Sequence, residues 1–177
     1  MLNQTTLLVD ADYFLYRSAQ SAEIEEEFDS ETTLVIGDFT KGCSLFKRQL
    51  QDLRRRFDTD KLVLCWTSPD NFRKVVDPEY KGNRTKRKPC GYKKLKNWAM
   101  ATWTSVQKPG LEADDVLGIL ATNGSLSDFV LVSPDKDMQQ IACRLYDLKT
   151  EYTQTPEAAE LKLYEQTLTG DATDGYK

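Results

Sequence analysis

Apolar residues in this chain fall alternately into short runs and helical stripes. Thr5 to Val9 reads as a buried strand ending at Asp10, and Asp12 with Tyr13 begins the next segment. From Leu34 to Phe57 the residues Val35, Phe39, Cys43, Phe46, Leu50, Leu53 and Phe57 recur at three- and four-residue steps. That spacing predicts one long amphipathic helix packed on a sheet. Arg54, Arg55 and Arg56 at its end complement the helix dipole. Strands are predicted over Lys61–Cys65, Thr104–Gln107, Asp128–Val132 and Leu145–Tyr146. Helices are predicted over Tyr92–Trp103, from Glu112 to about Ala121, after Asp137, and from Pro156 to about Leu168, where Gly170 ends the last one. Glu23–Asp29 reads as a solvated loop or helix end. Thr67–Lys96 is polar, basic and broken by Pro69, Pro78, Gly82, Pro89 and Gly91. It is too long for an ordinary connection, which marks it as functional or mobile. Strands alternating with helices call for right-handed crossovers. The expected fold is α/β, a mostly parallel central sheet flanked by helices, in a single domain spanning 1–177.

Composition changes this picture little. The 177 residues are 40% hydrophobic and 29% charged, as in a globular protein, and suit one domain with a sizeable core. No apolar run approaches the roughly 20 residues of a membrane span. Met1–Gln4 lacks the basic and apolar regions of a signal peptide, so an intracellular location is expected. Cys43, Cys65, Cys90 and Cys143 lie far apart with no C-x-x-C pair, which favours four buried or partly buried thiols.

Charge and chemistry change it more. Histidine is absent, which removes Ser-His-Asp and Cys-His nucleophilic schemes, H-E-x-x-H metalloproteases and histidine-ligated zinc deaminases. A hydrolase of this composition most simply attacks with a metal-bound hydroxide. Net charge is −4, yet Lys81, Arg84, Lys86, Arg87, Lys88, Lys93, Lys94 and Lys96 form a stretch free of acidic residues. Such a run is ordinarily a solvated loop. A solubility loop would interleave both signs, so the favoured reading is a mobile arch over about 78–97, tracking single-stranded DNA with Tyr80 or Tyr92 for stacking. The acidic excess lies elsewhere, notably at Glu23, Glu25, Glu26, Glu27 and Asp29.

Eight carboxylates sit just past predicted strands or open the helices that follow: Asp10; Glu112, Asp114 and Asp115; Asp135 and Asp137; Asp171 and Asp174. Each group alone has a plainer reading, as complements to a helix dipole, as caps or as turn residues. Together they converge on one crevice, because strand ends meet there in an open α/β sheet. Two unit charges about 4 Å apart repel by roughly 4 kcal/mol at an effective dielectric of 20. A cluster of this kind calls for cations, and all-oxygen ligation favours Mg²⁺, Mn²⁺ or Ca²⁺ over zinc.

These residues resemble the 5′→3′ exonucleases and flap endonucleases, most of all the phage replication exonucleases that remove RNA primers and degrade duplex DNA from 5′ ends. Four matches carry the resemblance, in the family's order: Val9-Asp10 with Tyr16-Arg17; Asn71-Phe72-Arg73 leading to Val76-Asp77-Pro78-Glu79-Tyr80-Lys81-Gly82-Asn83-Arg84; Pro109 to Asp115 with Ser133-Pro134-Asp135-Lys136-Asp137; and Gly170 to Tyr176. The resemblance implies a PIN-like, Rossmann-like nuclease core and a two-metal phosphodiesterase with Mg²⁺, for which Mn²⁺ would substitute. It implies that Asp10, Glu112, Asp114, Asp135 and Asp137 hold or orient one ion and its waters. Asp115 would bridge the ions or stand just behind them, and Asp171 with Asp174 would complete the second position. Lys81 and Arg84 would contact the scissile phosphate, Tyr80 would stack on a terminal base, and Lys86, Arg87, Lys88, Lys93 and Lys94 would line the path of the strand. The implied partners are DNA 5′ ends, flaps and RNA–DNA hybrids, in the host cytoplasm for a phage protein.

Two departures stand out. The family usually carries an Asp after the second strand; here Cys65-Trp66-Thr67-Ser68-Pro69 fills that stretch and Asp70 comes late. Asp70 swings in, or Ser68 holds a water in its place, or the site is weakened. The chain also stops at Lys177, where the family continues into a helix–three-turn–helix element that grips duplex DNA.

Three rival readings remain open. Asp10-Ala-Asp12 and Gly170-Asp171-x-x-Asp174 resemble a haloacid-dehalogenase-like phosphatase, but that scheme leaves Glu112, Asp114 and the Lys81 region unused. A PIN-domain RNase shares the sheet and the acidic cluster without the Tyr-Lys-Gly-Asn-Arg segment. The missing Asp motivates the third, a catalytically weak DNA-binding remnant of the same fold.

Overall fold

The strand Thr6–Asp10 (β1) is buried along almost its whole length, and the rest of the molecule is built around it. The computed structural model describes residues 5–82 and 86–170. Next come the helix Ala11–Ser21 (α1), strands Glu23–Glu27 (β2) and Thr33–Gly37 (β3), the helix Phe39–Phe57 (α2) and the strand Leu62–Trp66 (β4). A short helix, Phe72–Val76 (α3), precedes Tyr92–Thr102 (α4), strand Ser105–Gln107 (β5), helix Ala113–Thr122 (α5) and strand Phe129–Val132 (β6). A 3₁₀ turn at Lys136–Gln140, strands Arg144–Tyr146 (β7) and Glu151–Thr153 (β8), and the helix Pro156–Thr169 (α6) follow.

The main sheet has the order β5-β4-β1-β6-β7-β8. Every pair is parallel except β7 with β8. Successive side chains of a strand point to opposite faces, so each strand feeds two cores. Leu7, Val9, Leu64, Trp66, Val130 and Val132 face α1, α2 and α4. Leu8, Cys65 and Leu131 face Val116 and Leu117 of α5. Phe46 is fully buried against Trp66, with ring centroids 6.4 Å apart, and Trp98 and Trp103 meet it edge-on at 6.3 and 5.5 Å.

One segment differs from the sequence reading. Glu23–Glu27 is not a loop or helix end but a strand, paired antiparallel with Thr33–Gly37 from Glu23↔Gly37 to Glu27↔Thr33. The long helix accordingly starts at Phe39, not Leu34, where the Asp38 side chain accepts a hydrogen bond from Lys41 N at 2.9 Å. The hairpin stands outside the main sheet, and Ile24, Leu34 and Ile36 on it are exposed. Its base is pinned at Gly37, where an added Cβ would come within 2.5 Å of the Cys90 carbonyl oxygen.

The basic stretch is also divided. Tyr92, Leu95 and Ala99 of α4 are buried against the α1–α2 layer, so Lys93, Lys94 and Lys96 belong to the body of the domain rather than to a loop. No described helix is long and apolar enough to cross a membrane.

Candidate active site

From β1 the chain runs outward to β4 and β5, then returns across the sheet to β6 on the other side of β1. That reversal opens a crevice beyond the carboxyl ends of β1 and β6. Asp10 is the last residue of β1, and Ser133, Pro134 and Asp135 follow β6 directly. Asp10 caps α1 by accepting from Tyr13 N at 3.3 Å, and its other oxygen accepts from Ser133 Oγ at 3.0 Å. Burial pushes its pKa up to about 6, with the charges of Asp12 and Asp135 adding to the effect.

The first turn of α5 brings three more carboxylates. Glu112 and Asp115 form a capping box, with Glu112 N donating to Asp115 Oδ2 at 2.9 Å. Asp114 takes no part in it. Burial, then the charges of Asp10 and Asp135, raise the Asp114 pKa to about 8, with Lys81 opposing. Asp10, Asp114 and Asp135 are therefore close enough to act on one another, as the strand-end argument requires. Asp135 caps the 3₁₀ turn by accepting from Asp137 N at 2.9 Å, and Asp137 accepts from Gln166 Nε2 of α6. Glu112, Asp114, Asp115, Asp135 and Asp137 line one open cleft of about 790 Å³ together with Arg73, Tyr80 and Lys81.

Among the described residues no three Cys, Asp or Glu side chains are placed as a ready-made ion cage. What fits a divalent cation is the donor chemistry. Hard oxygen donors surround two carboxylates that burial and mutual repulsion keep from ionising at their ordinary pH, and a hard cation relieves both costs.

Glu112 is the most heavily engaged of the set. It accepts from Asn71 Nδ2 at 2.8 Å, from the Tyr80 hydroxyl at 3.0 Å, and from Lys81 Nζ at 3.1 and 2.9 Å. Tyr80, expected as a stacking ring, is only 6% exposed in this arrangement. Lys81 holds a left-handed backbone, φ 56°, which is unusual for a residue with a Cβ and is found disproportionately at functional segments.

Of the described residues in the basic run, the others do not line the cleft. Arg87 pairs with Glu23 at 2.5 Å, tying the basic segment to the hairpin. Lys88 lies over the Tyr92 ring and Lys94 over Phe39. Lys86 and Lys93 are exposed. Arg84, Asp171 and Asp174 lie outside the described residues.

Asp70 is exposed and accepts a hydrogen bond from the Ser68 hydroxyl, which holds its carboxyl below the usual range. Thr67 N donates to Asp12 Oδ2 at 2.7 Å, and Asp12 also accepts from the Tyr92 hydroxyl at 2.8 Å. Asp12 is thus a structural hub joining β4 to α4. Sequence reasoning gave it no such role.

Asn71 and Arg73 were also missed as site residues. Their partners lie 41 and 42 residues away, so no local spacing could expose the contact. The available signals were the place of Asn71-Phe72-Arg73 in the family resemblance and the helix-capping character of Asn71.

A family model described as the 5′-3′ exonuclease, N-terminal resolvase-like domain matches residues 5–166. The exonuclease of Escherichia phage T7 and the exodeoxyribonuclease of Enterobacteria phage T3 are each 32% identical over 187 aligned positions, covering 96% of this chain. The chain spans 61% of the length of either relative. Among solved structures, a phage T5 flap endonuclease in a pseudo-enzyme–product complex with DNA and metal ions superposes with a TM-score of 0.65 at 16% identity, covering 97% of this chain and 68% of that one. A phage T5 5′-exonuclease with bound zinc ions gives 0.64 at 18% identity, covering 97% and 69%. At these identities the structural likeness speaks for the fold.

Proposed function

The chain belongs to the family of 5′-3′ exonuclease N-terminal resolvase-like domains, and from that membership we propose that it hydrolyses phosphodiester bonds of DNA, and of RNA primers paired to DNA, from 5′ ends and at flaps. Asp114 carries this reading. A carboxyl group pushed up to about 8 by burial and by the charges of Asp10, Asp135 and Glu112 is costly to ionise, and a cation held there would offset that cost. Asp10, Glu112, Asp114, Asp135 and Asp137 are the residues that would hold Mg²⁺ or Mn²⁺, with Asp171 and Asp174 proposed for a second ion. Bound ions would supply an activated water and counter-charge for the leaving oxygen.

The chain's own residues have separate tasks. Lys81, the residue of the basic run whose side chain lines the cleft among those described, would bring positive charge to the scissile phosphate. Arg84 is proposed to assist it. Ser133 orients Asp10 through its hydroxyl, and Gln166 steadies Asp137 from α6. Lys86, Lys88, Lys93 and Lys94, with Arg87 once it leaves Glu23, would hold the phosphates of the strand beyond the cleft. Neutralising about four phosphates should make log K fall against log salt with a slope near −3 to −4, measured by fluorescence anisotropy with a labelled single strand. A slope near zero would remove the basic run from the account.

The direct test is incubation of the protein with 5′-labelled blunt and flapped duplexes in Mg²⁺, Mn²⁺ or EDTA. Short 5′ products with either metal and none in EDTA are expected. One observation favours a second reading, a DNA-binding remnant with little chemistry: Asp70 is exposed and accepts a hydrogen bond from the Ser68 hydroxyl. Retained binding with no product at any metal concentration would establish that alternative.

A further inference from the structure

Asn71 and Arg73 belong to neither the carboxylate set nor the basic run, yet they fix the first turn of α5. Asn71 accepts from Arg73 N at 3.0 Å and donates to Glu112 at 2.8 Å, while Phe72 N donates to the Gly110 carbonyl at 3.0 Å. These bonds set α3 against the segment leading into α5. From there the Arg73 guanidinium meets both oxygens of Asp115, each at 2.7 Å, and lies 3.9 Å from Glu112. Its planar fork sits 4.8 Å from the Phe72 ring centroid and 5.9 Å from that of Tyr80. A fork on a carboxylate fixes rotation as well as distance, which a lysine cannot do.

Three of the roughly four lone-pair sites of Asp115 are taken. Both oxygens face Arg73, and one also accepts from Glu112 N. We propose that Arg73, aided by Asn71, is a positioning residue: it keeps Asp115 out of the ion-holding set and sets the direction in which Glu112 presents its carboxylate. This inference rests on the nuclease reading.

The test is steady-state cleavage of a 5′-labelled duplex at saturating Mg²⁺ by the whole chain, comparing wild type with Arg73→Met, Arg73→Lys, Asp115→Asn and the Arg73→Met/Asp115→Asn double variant. Misaimed groups lower turnover rather than substrate binding, so Arg73→Met should lose about 10- to 100-fold in kcat with KM within about twofold. Arg73→Lys keeps the charge without the fork and should recover only part of the loss. The double variant should be within about threefold of Arg73→Met, because both changes break one interaction. Losses that multiply, or a raised KM at unchanged kcat, would overturn the proposal; the latter would make Arg73 a nucleic-acid contact. Should Arg73→Met fail to fold, Arg73→Lys against Asp115→Asn decides by the same split of kcat and KM. A wild-type chain that cleaves nothing with Mg²⁺ or Mn²⁺ removes the nuclease reading and this one together, whereas multiplying losses in an active enzyme remove this one alone.

Discussion

Asp114→Asn should abolish cleavage and at the same time make the metal-free protein more stable at pH 8. The folded state raises the Asp114 pKa from 3.8 to about 8. The protonated form is therefore the one the fold prefers. Its stabilising contribution is complete below about pH 4 and disappears as pH climbs through about 8, where the carboxylate must ionise in place. Asn is a neutral group of the same shape and escapes that cost. Each pKa unit corresponds to about 1.4 kcal/mol, and allowing about half of the shift for local relaxation leaves roughly 2–3 kcal/mol. For a domain of this size that is a rise in Tm of about 5–10 °C in EDTA at pH 8, shrinking toward zero near pH 4. Cleavage should drop by about three orders of magnitude or more, since a neutral amide cannot replace a charged ion-holding group.

The same pair of proteins gives a crossover. Saturating Mg²⁺ should raise the wild-type Tm, because a ligand that binds only the folded state stabilises it, by about 2.7 kcal/mol at one hundred times Kd. The Asn variant should gain much less. Thermal melts at pH 5 and pH 8, with EDTA and with Mg²⁺, measure all of this. A variant less stable than wild type in EDTA at pH 8 would mean that a fixed cation of the protein already satisfies Asp114, and the argument for a divalent ion would fail.

The parts of this site that were legible in the sequence are those whose signal is local. Leu7-Leu8-Val9 running into Asp10, and Phe129 to Val132 running into Ser133, announce buried strands whose ends must carry the chemistry of an open sheet. Pro109-Gly110 before Glu112 announced the turn into α5. The hairpin was hidden because both of its faces are largely exposed, so it shows no buried stripe. Leu34, Val35 and Ile36 then read as an extension of the helical pattern, although Gly37-Asp38 holds the true start. Asp115 illustrates a deeper limit. Its sequence neighbours recommend it as a ligand, while its partner Arg73 lies 42 residues upstream and can be found only in the folded chain. Burial-driven repulsion at Asp114 is likewise a property of the fold, since it depends on Asp10 and Asp135 from two other strand ends.

Lys81→Met should pull two measurements in opposite directions, with tighter binding of divalent ions and much slower cleavage. A carboxylate has about four lone-pair sites. Those of Glu112 face Asn71, Tyr80 and both contacts of Lys81 Nζ, so an ion reaches this carboxylate only when a donor withdraws. Lys81 is the donor best able to leave, on a long side chain from a strained backbone, whereas Tyr80 is buried. Met keeps the apolar stem and removes the ammonium. Losing a competing unit charge from the site should raise Mg²⁺ or Mn²⁺ affinity about 5- to 10-fold, roughly 1–1.4 kcal/mol, read by calorimetry without nucleic acid. Breaking the pair should also lower the metal-free Tm, since the Lys81 and Glu112 side chains are only 15% and 13% exposed and the carboxylate loses its counter-charge. Cleavage should nonetheless fall about 10²- to 10³-fold, because the cation that would meet the scissile phosphate is gone. An unchanged or weaker ion affinity would show that Lys81 and the ion share Glu112 without competing. Unchanged cleavage would leave the phosphate to Arg84 alone.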